Sequence, residues 1–387
     1  MEFSERLEGL SSNIFLQLEQ EKQRILAKGG RVFNLSVGTP DLPPDRHVME
    51  TLSREALNPE NYKYAIVDKP ELTTAVINWY KRRYNVELEP DELMSVYGSQ
   101  EGMAHIGLSI CDPRDICLVP DPGYPIFSFG PFLSGAKLVK MPLLEKNGYL
   151  IDFDAIPSAV ADKAKLMVVS YPNNPVTARA TDEFYERLVA FAKRHDIIVL
   201  HDNAYSELVL TGEPAQSFLS FPGAKDVGVE FNSLSKSYNL TGARISFALG
   251  NKKVLENFRK LRSQIDYGIF PAVQLAAVAA LNGPQDIVAR NREIYRSRQD
   301  VLCQGLRRVG WAVPDCDSTM FTWFPLPGGA TDSTAFSVEL LQKTGVMCVP
   351  GITFGTLGEG YVRMALVQPE DVLKQACEAI GSSGMLG

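Results

Sequence analysis

The sequence predicts an α/β fold, with a large domain built on a mainly parallel sheet flanked by helices and a smaller α+β domain. Short apolar runs alternate with helix-like stretches through the middle of the chain, which is typical of a parallel sheet covered on both faces. This pattern changes in the last quarter, and 387 residues exceed one ordinary core. The predicted divisions are an N-terminal arm with part of the small domain (1–45), a large domain (46–275) and a small C-terminal domain (276–387).

The N-terminal segment is predicted to hold one helix and one short strand. Residues 13–28 have the apolar spacing of an amphipathic helix, which the glycines at 29 and 30 end. Residues 32–37 read as a strand that runs into a loop rich in proline at 38–44.

The large domain contains five clear strand patterns, each a short run rich in aliphatic residues. They are 115–119, 164–170, 196–200, 227–231 and 245–249. Helical patterns fall beside them at 99–110, 181–195 and 251–264. A helical stretch at 271–309 is expected to bridge the domains, and the small domain is expected to contain strands at 319–324, 346–349 and 361–366.

Composition excludes several classes of function. A net charge of −7 without any run of Lys or Arg argues against a nucleic-acid partner. No stretch approaches the roughly 18 apolar residues of a membrane span, and the charged N-terminus lacks a signal segment. Six cysteines without C-x-x-C spacing indicate reduced thiols, and four scattered histidines predict no metal site. We therefore expect a cytoplasmic protein with neither membrane nor nucleic-acid partners.

The segment from Ser233 to Arg244 is the strongest chemical signal, because it places Lys236 among hydroxyls with an arginine eight residues later. An amine that forms a Schiff base needs a lowered pKa and a fixed position. A phosphate nearby needs hydroxyl donors and a permanent cation. The alternative is a polar turn that carries one solvated lysine.

Four further polar signals also follow predicted strands or precede helices. They are Gly98-Ser99-Gln100, Asp121-Pro-Gly-Tyr124, Tyr171-Pro-Asn-Asn174-Pro175 and Asp202-Asn-Ala-Tyr205. Each alone is ordinary turn or helix-cap chemistry. Open parallel sheets, however, bind ligands at the carboxyl ends of their strands. Five such signals in order therefore predict one binding site, with the helix after Ser99 suited to a phosphate.

Together these motifs resemble the class I/II aminotransferases, which are fold type I enzymes dependent on pyridoxal 5'-phosphate, over essentially the whole chain. The resemblance implies that Lys236 binds the cofactor covalently and then moves the substrate's α-proton. It also implies that Asp202 pairs with the pyridine nitrogen of the cofactor. Tyr205 and Asn174 would hydrogen-bond the phenolic oxygen of the ring.

The resemblance assigns the remaining positions to the phosphate, the ring face and the substrate. The implied phosphate ligands are Ser99, Gln100, Ser233, Ser235 and Arg244. Tyr124 would stack on the ring, and Arg363 would bind the substrate α-carboxylate beside Gly38 and Asn174. Tyr124 as a core aromatic and Ser235 as a plain helix cap are the alternatives.

In this family a tyrosine from the neighbouring subunit usually reaches the phosphate, and Tyr64 is the matching position. The resemblance therefore implies a homodimer with shared active sites. The match departs from the family pattern, because the glycine before Pro70 is missing and the spacing is one residue short. Two other departures are Asn174-Pro-Val-Thr-Ala in place of Asn-Pro-Thr-Gly and Ala243-Arg-Ile-Ser246 in place of Trp-Arg-Ile-Gly.

The implied activity is transfer of an amino group between an L-amino acid and a 2-oxo acid such as 2-oxoglutarate. The runs at 97–102, 171–175 and 266–271 look most like LL-diaminopimelate aminotransferases. An aspartate or alanine aminotransferase and a carbon–sulfur lyase stay open as alternatives. A nicotinamide dehydrogenase would need a glycine-rich fingerprint that the chain lacks. A regulator with a DNA-binding helix-turn-helix would need more residues before the loop at Gly38.

Overall fold

The computed structural model describes residues 13–386, and within this range the chain forms twelve strands and fourteen α-helices. The strands are β1 (Phe33–Asn34), β2 (Leu93–Val96), β3 (Ile116–Asp121), β4 (Lys137–Pro142), β5 (Ala164–Ser170), β6 (Ile198–Asp202), β7 (Gly228–Ser233), β8 (Ser246–Gly250), β9 (Phe321–Pro325), β10 (Val346–Met347), β11 (Val349–Pro350) and β12 (Tyr361–Ala365). The helices are α1 (Asn13–Ala27), α2 (Arg46–Ala56), α3 (Pro70–Tyr84), α4 (Ser99–Ile110), α5 (Ile126–Leu133), α6 (Ser158–Ala161), α7 (Asp182–His195), α8 (Ala224–Val227), α9 (Leu234–Ser237), α10 (Lys252–Arg262), α11 (Pro271–Asn282), α12 (Asp286–Arg308), α13 (Ser333–Thr344) and α14 (Glu370–Ser382).

The large sheet has seven strands in the order β2-β8-β7-β6-β5-β3-β4. Strand β8 runs antiparallel to both of its neighbours, and the other adjacent pairs are parallel. The predicted α/β class with a mainly parallel sheet is therefore confirmed. All five predicted strands of this sheet occur, with ends displaced by at most two residues. Six strands consequently end at the same edge, where the polar signals lie.

Each face of this sheet is covered by its own set of helices, because successive side chains of a strand point to opposite faces. In β5, Leu166 and Val168 pack in the core beneath α4, α5 and α10. Met167 and Val169 pack in the other core, beneath α3, α7 and α11. Both faces are apolar and buried, so the carboxyl edge is where polar groups can gather.

A second sheet, in the order β11-β12-β9, is antiparallel and shares a core with α12, α13 and α14. Strand β1 pairs in parallel with β10, which joins the N-terminal segment to the C-terminal part of the chain. The domain boundaries before 46 and after 275 stay predictions.

Three predicted elements differ from the structure. The stretch 271–309 is two helices, α11 and α12, because Gly283 and Pro284 interrupt it. The predicted strand at 346–349 is divided between two sheets, since β10 pairs with β1 and β11 pairs with β12. The predicted strand at 32–37 keeps only Phe33 and Asn34 in regular pairing.

None of the helices between residues 13 and 386 is both long and apolar enough to cross a membrane. All six cysteines are buried and unpaired.

Candidate active site

A cavity of about 320 Å³ opens at the carboxyl edge of the large sheet, beside the second sheet. It brings together all the predicted site residues except Tyr64. Those lining it are Gly38, Ser99, Gln100, Tyr124, Asn174, Asp202, Tyr205, Ser233, Ser235, Lys236, Arg244 and Arg363.

Lys236 lies on the single turn of α9, directly after β7. Its Nζ donates a hydrogen bond of 2.5 Å to the carbonyl oxygen of Gly38. Burial, together with the positive charges of Arg363 and Arg244, lowers the pKa of the Lys236 amine to about 8, and the charge of Asp202 acts in the opposite direction. A sizeable neutral fraction is therefore present near pH 8, as a nucleophilic amine requires.

Asp202 is the last residue of β6, and its side chain is buried. Its Oδ1 has no hydrogen-bond partner within the part of the chain that the structure describes. Burial raises the pKa of the Asp202 carboxyl to about 6, although His201 and the backbone N–H of Ala204 act in the opposite direction. A buried carboxylate oxygen without a donor is costly, which indicates that a donor from outside the chain belongs there.

Arg363 comes from β12 and crosses to the large sheet, where its Nη1 donates to Asn174 Oδ1 at 2.9 Å. Its Nη2 donates to the carbonyl oxygen of Ser36 at 3.1 Å, whereas its Nε has no partner among the described residues. Burial lowers the pKa of Arg363 to about 10. No carboxylate of the described chain forms an ion pair with this buried guanidinium, so it can accept an anionic ligand.

Two phenylalanine rings enclose the guanidinium of Arg363. Its Cζ lies 4.1 Å from the ring centroid of Phe321 and 4.8 Å from that of Phe354. Gly38 approaches Phe321 closely, because a Cβ on Gly38 would lie 2.6 Å from the ring. The aromatic walls hold the planar fork in one orientation.

The N-terminus of α4 and the side chain of Arg244 form a polar cradle at one end of the cavity. Ser99 begins the helix, and its buried hydroxyl has no partner within residues 13–386. Gly98 has φ +88°, and a Cβ there would lie 2.2 Å from Nη2 of Arg244. Only glycine therefore lets the arginine lie against this helix end, where free N–H groups favour an anion.

Two hydroxyl side chains near Lys236, those of Ser233 and Thr241, hold the backbone around it. Ser233 caps α9, because its Oγ accepts from the backbone N–H of Ser235 and from the hydroxyl of Ser246. A helix cap was the alternative to a phosphate contact for Ser235. In the structure Ser233, another predicted phosphate ligand, forms that cap. Ser246, one of the departures from the family pattern, supports that cap. Thr241 holds the following turn by donating to the carbonyl oxygen of Ser235 at 3.0 Å.

Two tyrosines line the remaining wall. The hydroxyl of Tyr124 donates to Gln100 Oε1 at 3.2 Å, and burial raises its pKa. Tyr205 is buried with its ring edge-on to Phe321 at 5.9 Å. Burial also raises the pKa of Tyr205, and the nearby charge of Asp202 adds to the effect. Both phenols are thus neutral hydrogen-bond donors at physiological pH.

The family model for aminotransferases of class I and II matches residues 30–380. This chain belongs to that family. It is 43% identical over 382 residues to an LL-diaminopimelate aminotransferase from Moorella thermoacetica, covering 98% of each chain. It is 42% identical over 377 residues to one from Dehalococcoides mccartyi, covering 97% of each.

Solved structures show the same fold over nearly the whole aminotransferase chain. Substrate-bound BacF from Bacillus subtilis superposes with a TM-score of 0.94 at 35% identity, over 99% of this chain and 98% of that one. A mutant aspartate aminotransferase from Thermus thermophilus superposes with a TM-score of 0.92 at 26% identity, over 99% and 100%. The chain is a pyridoxal-phosphate-dependent aminotransferase with amino acid and 2-oxo acid substrates, so the predicted fold, enzyme class and cofactor are confirmed.

The cavity of this aminotransferase fits pyridoxal phosphate. Oδ1 of Asp202 and Oγ of Ser99 are buried atoms that lack partners among the described residues, and they lie at different parts of one lining. The first suits a protonated ring nitrogen, and the second suits a phosphate beside Arg244. The amine of Lys236 lies in the same cavity.

Tyr64 does not line the cavity of its own chain. Its side chain is 80% exposed, and its ring packs against that of Tyr267 with centroids 5.0 Å apart. Other large apolar side chains close to Tyr64 or to Tyr267 in sequence are exposed as well. They are Tyr62, Ile66, Val67 and Ile265, and Tyr267 itself is exposed.

Sequence reasoning missed several residues of the site. Phe321 and Phe354 have no local signal, because nothing in either run of residues indicates that the ring packs against the arginine rather than in an ordinary core. Gly98 was named only as part of the run before α4, and its own role could have been inferred from that position, since a positive φ there favours glycine. Thr241, only five residues from Lys236, could also have been included.

Proposed function

We propose that this aminotransferase carries out amino-group transfer in the cavity described above, with Lys236, Asp202 and Tyr205 as catalytic residues. The observation that carries the proposal is the coexistence in one cavity of a partly buried amine and a buried carboxylate oxygen without a donor among the described residues. When bound, pyridoxal phosphate supplies an aldehyde that captures the substrate amine and a ring that takes up electrons from the α-carbon.

Lys236 first binds the cofactor and then serves as the proton carrier of the reaction. Because burial and two arginines lower its pKa to about 8, Nζ can both accept and return a proton near neutral pH. The carbonyl oxygen of Gly38 gives the amine a second fixed partner when it is not covalently engaged. The lysine thus moves the proton between the substrate's α-carbon and the cofactor.

Asp202 Oδ1 would hold the ring nitrogen of the bound cofactor protonated and so favour the negative charge that the ring takes up. Tyr205 and Asn174 would hydrogen-bond its phenolic oxygen. Tyr124 would cover one face of the ring. The predicted phosphate ligands are Ser99, Gln100, Ser233, Ser235 and Arg244.

Arg363 binds the α-carboxylate that all amino acid and 2-oxo acid substrates share. Its guanidinium donates hydrogen bonds to Asn174 and to the Ser36 carbonyl, and two aromatic rings lie against it. These contacts fix the plane of the guanidinium, as two parallel hydrogen bonds to a carboxylate require. Gly38 and Asn174 complete this end of the substrate site.

LL-diaminopimelate is the proposed amino donor, with 2-oxoglutarate as acceptor. Support comes from relatives named LL-diaminopimelate aminotransferase that are 41–43% identical over nearly the full chain. The test is the rate of glutamate formation from 2-oxoglutarate with LL-diaminopimelate, aspartate and alanine as separate donors. A preference for aspartate or alanine would refute this donor. A lyase would instead release a thiol, ammonia and a 2-oxo acid from a sulfur-containing amino acid supplied without an acceptor.

The proposed assembly is a homodimer in which Tyr64 reaches the phosphate of the partner's cofactor. The apolar surface around Tyr64 supports this, because monomeric proteins rarely expose so many large apolar side chains in one place. Buried, unpaired cysteines support the proposed cytoplasmic location.

Mixing two inactive variants, Lys236→Ala and Tyr64→Phe, tests the shared site. Partial activity should return, since one of the two sites in a mixed dimer has both intact groups. A fully active monomer, or no recovery after verified subunit exchange, would refute the shared site.

A further inference from the structure

Asp121, the last residue of β3, is a buried carboxylate that holds two distant parts of the chain together. Its Oδ2 accepts from Lys140 Nζ at 2.8 Å and from Thr356 Oγ1 at 2.7 Å. Its Oδ1 accepts from the backbone N–H of Leu357 at 3.1 Å. Lys140 lies on the adjacent strand β4, whereas Thr356 and Leu357 follow β11 of the second sheet. The carboxylate thus joins the large sheet to the segment 351–358.

The turn after Asp121 makes a second connection to this segment. The backbone N–H of Gly123 donates to the carbonyl oxygen of Phe354 at 2.7 Å. Gly355 has φ +129°, and a Cβ there would lie 2.1 Å from Oδ1 of Asp121. Only glycine therefore permits this close approach. The same turn presents Tyr124 to the cavity.

The segment 351–358 carries one wall of the substrate site. Its Phe354 ring lies against the guanidinium of Arg363, opposite Phe321, and packs edge-on to Trp323 with centroids 5.8 Å apart. If the segment moved away from β3, Arg363 would lose one of the two rings that hold its fork. The position of Phe354 therefore depends on contacts with Asp121 and Gly123.

We propose that Asp121 is a positioning residue that latches the segment 351–358 to the large sheet and thereby holds Phe354 against Arg363, so that the arginine binds the substrate carboxylate tightly. Asp121 touches neither substrate nor cofactor in this role. The inference rests on the proposed function of Arg363 as the carboxylate ligand.

The test uses the cofactor-loaded enzyme and compares Asp121→Asn with the unaltered protein. Asparagine keeps one acceptor oxygen, but its NH2 group must face either Lys140 and Thr356 or the backbone N–H of Leu357, none of which it can accept from. The latch should therefore weaken while the side-chain volume stays the same. The KM for both the amino acid and the 2-oxo acid should rise about tenfold, with kcat and the cofactor's absorption spectrum little changed. Calorimetric titration with 2-oxoglutarate, without any amino donor, should show a matching rise in Kd.

Two glycine variants provide a matched pair for the same measurement. Gly355→Ala places a methyl group against the Asp121 carboxylate, whereas Gly360→Ala, also at a positive φ, meets no atom within 4 Å. Both variants carry backbone strain, but only Gly355→Ala disturbs Asp121. Gly355→Ala should therefore raise the Kd of 2-oxoglutarate, and Gly360→Ala should not. Thr356→Val should raise it as well, and Thr356→Ser should keep the normal value, because serine retains the donor.

An unchanged Kd in Asp121→Asn and Gly355→Ala, with only a lower melting temperature, would overturn the latch and leave Asp121 as an ordinary stabilising residue. If Asp121→Asn does not fold, Thr356→Val decides in the same way. Arg363→Lys separates the two proposals, since it should raise the Kd about thirtyfold. If Arg363→Lys leaves the Kd unchanged, the role of Arg363 itself is wrong.

Discussion

His201 and Asp202 are consecutive residues of β6, yet their side chains enter opposite faces of the sheet and opposite kinds of environment. His201 Nδ1 lies 3.1 Å from an oxygen of Glu230, and both side chains are fully buried. The carboxylate of Glu230 also accepts hydrogen bonds from four other groups. These donors are Tyr80 Oη, Asn203 Nδ2, Ser217 Oγ and the Phe218 backbone N–H.

Asp202, by contrast, has an oxygen without any donor among the described residues, in a cavity that also contains Lys236 and Arg363. Both carboxylates are buried, so burial alone does not distinguish a catalytic group from a structural one. The supply of hydrogen-bond donors does distinguish them. The chain itself provides donors to both oxygens of Glu230, whereas Oδ1 of Asp202 has none among the described residues and can accept from a ligand.

The largest effect is expected for Lys236→Ala. The protein should fold and hold the cofactor non-covalently, but transamination should fall by at least about 10³-fold, because both the covalent attachment and the proton carrier are lost. Stopped-flow or coupled assays measure the rate, and Lys260→Ala on the exposed face of α10 is the control. Near-normal turnover in Lys236→Ala would refute the central assignment.

Glu230→Gln should damage stability rather than chemistry. An amide turns one acceptor into a donor that faces existing donors, so the free energy of unfolding should fall by about 3–5 kcal/mol. Chemical denaturation measures this loss. The kcat of the folded fraction should stay within about threefold, since the network lies on the other face of the sheet. A large loss of kcat at normal stability would contradict the structural role.

Asp202→Asn, in contrast, should lower the activity strongly while it raises the stability of the cofactor-free protein. Activity should fall by about a hundredfold or more, because a neutral amide does not stabilise a protonated ring nitrogen. Without cofactor, the variant should nevertheless be more stable than the unaltered protein above pH 6. In the folded protein burial raises the carboxyl pKa from 3.8 to about 6. The contribution of this carboxyl to the free energy of unfolding is therefore most favourable below its unfolded pKa of 3.8. That contribution is lost as the pH rises through the folded pKa of about 6.

The resulting gain in stability for Asp202→Asn is about 3 kcal/mol at pH 7.5 and close to zero near pH 4. Denaturation of the two cofactor-free proteins at both pH values measures it. Equal stability at pH 7.5 would mean that the Asp202 carboxylate is satisfied by the chain, as Glu230 is.

The smallest effect concerns the pH at which Lys236 captures the cofactor. The rate of covalent attachment to cofactor-free enzyme should have its midpoint near the lysine pKa of about 8, well below the ordinary value of 10.5. Arg363→Gln should move the midpoint upward, because a repelling cation is removed. An unchanged midpoint would show that the charge of Arg363 does not contribute to the lowered pKa of Lys236.

Much of the fold and site is predictable from the sequence because the relevant signals are local. Apolar runs bounded by polar residues define the five central strands, and β5 coincides with its prediction at both ends. Strands β2 and β4 were missed, since β2 has only four residues and β4 is largely exposed and contains two lysines. The antiparallel direction of β8 likewise depends on its partners rather than on its own residues.

By itself, the sequence determined where the chemical groups occur: Lys236 and Asp202 follow buried strands, and parallel strands bring their carboxyl ends to one edge. Only the tertiary structure decided which groups stay unsatisfied and which are saturated. Glu230 looks like a misplaced charge in an apolar strand until its donors, one of them 150 residues away, are assembled around it. The Phe321 ring beside Arg363 and the latch at Asp121 have the same origin, because contacts between distant segments leave no periodic pattern in the chain.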